Sequence, residues 1–252
     1  MQLQALVLAS LFGTAAAFAA EEVREEFHQT YPLTAQGAVR LENINGSVKI
    51  TTWDQASVKV DAVKHGKNQE DLNVVKIEVD SQPDQIGIKT KYPDSKSNEG
   101  KNNSTGVDYI LTVPRQSVLD KIRTVNGNVE IAQAAGKVSV NSVNGKVTAE
   151  GLSGEATLST VNGAIKASLL EVKNKVAFKT VNGSLTLGLP QNVNADVSAK
   201  TVNGAISSDF DLKAEKNGRT RQQKLDGKLG AGGPLITLAT VNGAIHLERA
   251  KP

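Results

Sequence analysis

One short motif recurs along this chain at fixed offsets, and it leaves few folds open. Seven Asn-Gly pairs, at Asn45-Gly46, Asn126-Gly127, Asn144-Gly145, Asn162-Gly163, Asn182-Gly183, Asn203-Gly204 and Asn242-Gly243, share a single context. The residue before each Asn is β-branched: Ile44, Val125, Val143, Val161, Val181, Val202 or Val241. Before that stands Thr124, Ser142, Thr160, Thr180, Thr201 or Thr240, with Asn43 as the exception. An apolar residue lies four positions before each Asn, as in Leu41, Ile122 and Leu158, and another three positions after it, as in Val48, Val129 and Ile165. From Asn126 onward the spacings are 18, 18, 20, 21 and 39 residues, so the last interval leaves room for one degenerate unit.

Each unit therefore reads apolar-x-Thr-Val-Asn-Gly-x-apolar-x-apolar, two short alternating strands meeting at a turn. Leu158 and Thr160 share a face before the turn; Ile165 and Ala167 share it afterwards. Asn and Gly both tolerate positive φ, which lets the chain bend there with little strain. In an antiparallel meander or sandwich each Asn-Gly would be a two-residue hairpin loop. In a β-solenoid each 18–21-residue unit would be one coil, stacked on the next about 4.8 Å away. A hairpin gives no reason for Thr and Val to recur at fixed offsets. Stacked coils do, since equivalent residues lie over one another: Val packs on Val and Asn amides can bond along a ladder. The expected fold is an all-β solenoid, with the meander or sandwich as the alternative.

The expected organisation has four parts. Residues 1–20 carry no charge, run apolar from Leu3 to Leu11, and end in Ala15-Ala16-Ala17-Phe18-Ala19-Ala20. That pattern predicts a secretory leader cleaved near Ala19 or Ala20, although no Lys or Arg follows Met1. Residues 21–36 begin with an acidic arm, Glu21 to Glu26, expected to fray. Residues 37–115 alternate less regularly and are expected to cap the coil stack, because an open solenoid end exposes core and unpaired strand edges. Between Pro93 and Gly106 no apolar residue occurs, which predicts a mobile surface loop. Residues 116–252 hold the regular repeat, interrupted at 207–234.

The sequence contains no cysteine, which excludes disulfides, thiolate metal sites and lipid attachment through an N-terminal Cys. Lys and Arg number 29 against 26 Asp and Glu, too mild a balance for a nucleic-acid partner. After the leader no run approaches the ~18 apolar residues of a membrane helix.

These residues resemble a known family. Leu41-Glu-Asn-Ile-Asn-Gly-Ser-Val-Lys-Ile50, Trp53-Asp54, the Thr-Val-Asn-Gly repeats, and Gly230-Ala-Gly-Gly-Pro-Leu-Ile-Thr-Leu-Ala-Thr-Val-Asn-Gly-Ala-Ile245 are similar to the bacterial putative-adhesin family. The resemblance covers about residues 37–249. It implies a β-helix-like domain exported to the periplasm, cell envelope or exterior, with no assigned reaction, cofactor or catalytic residue.

The residues themselves suggest no chemistry. His28, His65 and His246 are dispersed and read as neutral surface or strand histidines. Asp80 with Asp84 and Asp209 with Asp211 are the two carboxylate pairs a glycosidase reading would use, and neither recurs as a column. No D-x-D-x-D loop, nucleophile elbow or phosphate loop is present. A Thr column invites an ice-binding reading, but such surfaces need flat, doubled polar rows, and the next column is Val or Asn at a bend. Trp53 could anchor a ligand, although a partly buried place in the cap suits it better. The basic stretch Lys213, Lys216, Arg219, Arg221, Lys224 and Lys228 supplies the candidate anion contacts, to an envelope polymer; a solvated insertion loop is the plainer reading. The function expected is that of a non-enzymatic envelope protein presenting a rigid β-repeat surface for adhesion or scaffolding. A polysaccharide-active enzyme on the same fold, or an accessory domain acting through a protein partner, are the alternatives.

Overall fold

In the computed structural model, which describes residues 22–93, 105–212, 214–216 and 222–250, each of these seven Asn-Gly turns joins strands of two different sheets. Val118–Asn126 lies in one sheet and Val129–Ala132 in the other, and each pairs in parallel with its counterpart in the next unit. No hairpin forms at the motif. The chain is a two-sheet β-solenoid, and the coils are named here by their turn Asn.

Alternation does the folding. On one sheet Leu41, Ile122, Val140, Leu158, Phe178, Leu238 and Ala199 point inward in register. Facing them across the core are Val48, Val129, Val147, Ile165, Leu185, Ile245 and Ile206. All but Ile206 are buried, and both columns belong to one continuous core cluster. Turning polar residues outward at alternate positions is what a sheet with one buried face requires.

Two elements differ from the sequence expectation. The stretch read as a fraying arm forms the strand Val23–Pro32, paired antiparallel along its whole length with Ser57–Gly66. Arg24, Glu25 and Glu26 face solvent on this outermost strand, where charge blocks further edge pairing. Among the described residues the 39-residue interval holds no degenerate coil. Instead, Ala195–Asn203 and Ile206–Ser208 form a coil at the far end, and Gln223–Leu229 folds antiparallel against its outer edge. The chain then turns back through Gly230, Gly232 and Gly233, all at positive φ. Leu235–Asn242 and Ile245–Arg249 enter between the Asn182 and Asn203 coils and bond in parallel to both. The order along the axis is therefore 45, 126, 144, 162, 182, 242, 203.

Beyond the Asn45 coil, one sheet continues through Gly106–Pro114, Ser57–Gly66 and Val23–Pro32, and the other through Gln85–Lys91 and Lys76–Gln82. Burial pushes the Tyr109 phenol in this region up to about 12, and its hydroxyl lies 2.7 Å from that of Thr90. Trp53 is half-buried there, its Nε1 donating to the Ser57 carbonyl at 2.8 Å. At the far end the backbone N–H of Ile206 donates to Gln223 Oε1 at 2.9 Å, so a side chain satisfies an edge donor.

Candidate functional site

The Thr-Val-Asn-Gly turns stack in register into one edge, and each residue type has a separate task in it. The Thr side chains point inward, almost completely buried. Thr160 donates its hydroxyl hydrogen to the Gly145 carbonyl of the neighbouring coil at 3.1 Å, Thr180 to Gly163 at 2.9 Å, Thr240 to Gly183 at 3.0 Å and Thr201 to Gly243 at 2.9 Å. Asn43 plays this part in the first coil, its Nδ2 donating to the Val107 carbonyl at 2.8 Å. Ser142 is buried in the same column, but its hydroxyl has no partner.

The Asn side chains form a ladder on the surface. Each Nδ2 donates to the Oδ1 of the neighbouring Asn: Asn126 to Asn45, Asn144 to Asn126, Asn162 to Asn144, Asn182 to Asn162 and Asn242 to Asn182 at 2.8 Å, and Asn203 to Asn242 at 2.9 Å. The glycines are required for a different reason from the one their turn position suggests. Only Gly46 among the seven has a positive φ. A Cβ on Gly163 would instead stand 2.0 Å from the Gly145 carbonyl oxygen, and the same approach recurs at Gly127, Gly145, Gly183, Gly204 and Gly243. Stacking at this pitch, rather than backbone bending, is what excludes a side chain.

The β-branched residues do not pack into the core. Ile44, Val125, Val143, Val161, Val241 and Val202 are each 37–41% exposed, and Val181 is half-buried in line with them. A ridge of seven apolar side chains thus runs the length of the coil stack on the outside. Its flanks are basic. One position before the inward Thr, on the strand face of the ridge, stand Arg123, Lys179 and Lys200; Lys146 follows its turn, and Lys49 and Lys166 lie further on, on the outer face of the second sheet, all exposed. The acids at these positions on the seven coils are Glu42 and Glu130. Lys121, at 2.6 Å, hydrogen-bonds Glu42 and holds its carboxyl below the usual range; Lys89 lies 4.0 Å from it. None of the six cations has a carboxylate within 4 Å among the described residues, whereas Lys121, Lys137 and Lys173 are paired. Beside Ile44, Val125 and Val143 the surface opens into a recess of about 440 Å³ bordered by Lys89 and Arg123.

Comparison with known proteins bears on this architecture directly. Residues 121–248, just over half of the chain, match the Toastrack family, DUF4097. The chain belongs to that family. No curated protein matches the Toastrack sequence at a significant level. Solved structures similar to it include a putative cell adhesion protein from Clostridium sporogenes, 13% identical, covering 90% of this chain and 100% of its own, with a TM-score of 0.49. A putative adhesin from Bacteroides fragilis is 14% identical over 90% of this chain and 97% of its own, with a TM-score of 0.42. One from Parabacteroides merdae is 10% identical over the same shares, with a TM-score of 0.34.

Of the other residues singled out in the sequence, only some fall among the described residues of the Toastrack fold. Lys213, Arg219 and Arg221 lie outside the described residues, as do the leader 1–20 and most of the 93–106 loop. Lys216 falls on the two-residue strand Glu215–Lys216. Lys224 and Lys228 lie on the strand Gln223–Leu229 rather than in a loop, and Lys224 is ion-paired with Asp226, which raises its pKa. Asp80, Asp84, Asp209 and Asp211 are all exposed, and Asp209 accepts from the Arg249 backbone N–H at 3.1 Å. No cluster of potential metal ligands occurs among the described residues. No helix among them is long and apolar enough to cross a membrane. The ridge and its basic flanks were missed from sequence, although a signal existed: strand alternation that sends Thr inward sends its Val neighbour outward.

Proposed function

We propose that this protein is a non-enzymatic, exported β-solenoid that presents its turn edge as a rigid contact surface at the cell envelope, in an adhesive or scaffolding role. The observation carrying the reading is the ridge itself. Exposed β-branched residues scattered singly need no explanation, but an unbroken line of them marks an interaction site. Bonding between coils at every turn supports rigidity, since Thr hydroxyls, Asn amides and backbone groups all tie one coil to the next. The apolar, charge-free opening of the sequence supports export.

Two experiments test this. N-terminal sequencing of the protein recovered from outside the cytoplasm should find cleavage after Ala19 or Ala20; an intact N-terminus in the cytoplasm would remove export. Co-sedimentation of the recovered protein with isolated envelopes should give saturable binding. Absence of binding at every salt concentration would overturn the contact-surface reading.

A further inference from the structure

We infer that the turn edge docks on a lipid bilayer surface rich in anionic headgroups, with the ridge at the boundary between headgroups and acyl chains and the flanking cations on lipid phosphates. This rests on the reading of that edge as a contact surface and names its partner. Three observations select the occupant.

The first is shape. Seven coils at about 4.8 Å spacing make an unbroken apolar line roughly 29 Å long, which suits an extended partner. The second is charge arrangement. Arg123, Lys179 and Lys200 stand two positions before ridge valines on the same strand face, so a basic row runs beside the apolar line. An amphipathic element with this profile lies in the membrane interface, its apolar part among the upper acyl chains and its basic residues at the phosphates. The third is availability. Arg123, Lys179 and Lys200 have no carboxylate within 4 Å among the described residues, and Glu42, the acid of that row, is ion-paired with Lys121. A second copy docked edge to edge would set like charges against each other, and an uncharged apolar partner would leave the basic row unmatched. A polyanion without apolar surface would use the cations and leave the ridge idle.

The test is flotation of the recovered protein with phosphatidylglycerol-containing vesicles and with pure phosphatidylcholine vesicles. Binding to the anionic vesicles should be at least about tenfold tighter and should weaken with salt. The double variant Lys179→Gln/Lys200→Gln should lose on the order of tenfold, while Lys137→Gln, on a cation already paired with Glu155 at the opposite corner, should change nothing. The variant Val143→Thr/Val161→Thr keeps side-chain shape and strand propensity; its unfolding midpoint checks folding, and its vesicle binding should fall severalfold. Equal binding to both vesicle types, or full binding by the folded Val→Thr variant, would overturn the proposal. Binding to isolated envelopes without binding to anionic vesicles would overturn it while leaving the contact-surface reading standing; binding to neither would remove both.

Discussion

At the turn edge, single atoms decide what each position tolerates. A methyl group on Gly163 would meet a backbone oxygen at 2.0 Å, and that oxygen belongs to the neighbouring coil, so neither partner can move without shifting the stack. Gly163→Ala should therefore cost about 3 kcal/mol or more in urea unfolding. Gly188→Ala, whose nearest neighbour would be the Ser168 Cβ at 3.4 Å, should cost under about 1 kcal/mol. Ser142 offers the opposite case. Its hydroxyl is buried and unpaired where Thr160 and Thr180 bond the coil beside them. Ser142→Thr restores the residue of the column and should raise stability by about 0.5–1 kcal/mol, whereas Thr180→Val should lower it by about 1–2 kcal/mol. The Asn ladder is solvent-exposed, so Asn162→Ala should cost only about 0.5–1 kcal/mol despite breaking two amide bonds.

Among the elements, the strand Val23–Pro32 carries a titrating group. His28 bonds Asp61 at 2.7 Å and Glu26 at 3.1 Å, and these hydrogen bonds raise its pKa above 6.5. A raised folded pKa means that the stabilisation is complete below 6.5 and is lost as pH rises through the folded value. The stability difference between the protein and its His28→Gln variant should thus be largest below pH 6.5 and fade at alkaline pH. The inserted coil is the other telling element. Thr237 pairs with Ala177 on one side and Ser198 on the other, so Thr237→Pro should release the Asn203 coil while the earlier coils stay stacked. Trypsin should then cut at Lys200, Lys224 and Lys228 and spare Lys137 to Lys179.

Across the whole molecule, what could be read in advance followed from locality. Fixed offsets around each Asn revealed coils, inward Thr and the Asn ladder, because stacked equivalents repeat their neighbours. Axial order was not legible: the sequence of Leu235–Asn242 contains nothing to say that its partners are Val176–Lys179 and Ala195–Asn203 rather than one of them alone. The 39-residue interval looked like a missing unit because spacing along the chain was taken for position along the axis. The strand Val23–Pro32 was hidden by its charges, which mark an exposed edge as readily as a loose end. The glycines' role was misassigned because a Gly after Asn usually signals a bend, and here a neighbour's carbonyl excludes the side chain.

The insertion of the Asn242 coil also sets an order of assembly. Coils from Asn126 to Asn182 can be added one by one as the chain emerges, each onto a finished surface. The Asn203 coil emerges before the coil that joins it to that surface, and must wait, with Gln223–Leu229 folded on its outer side, until Leu235–Arg249 arrives to fill the space. Growth of the rod therefore ends in a closing step rather than a last addition. Until it closes, two open strand edges face each other, each able to capture the matching segment of another molecule.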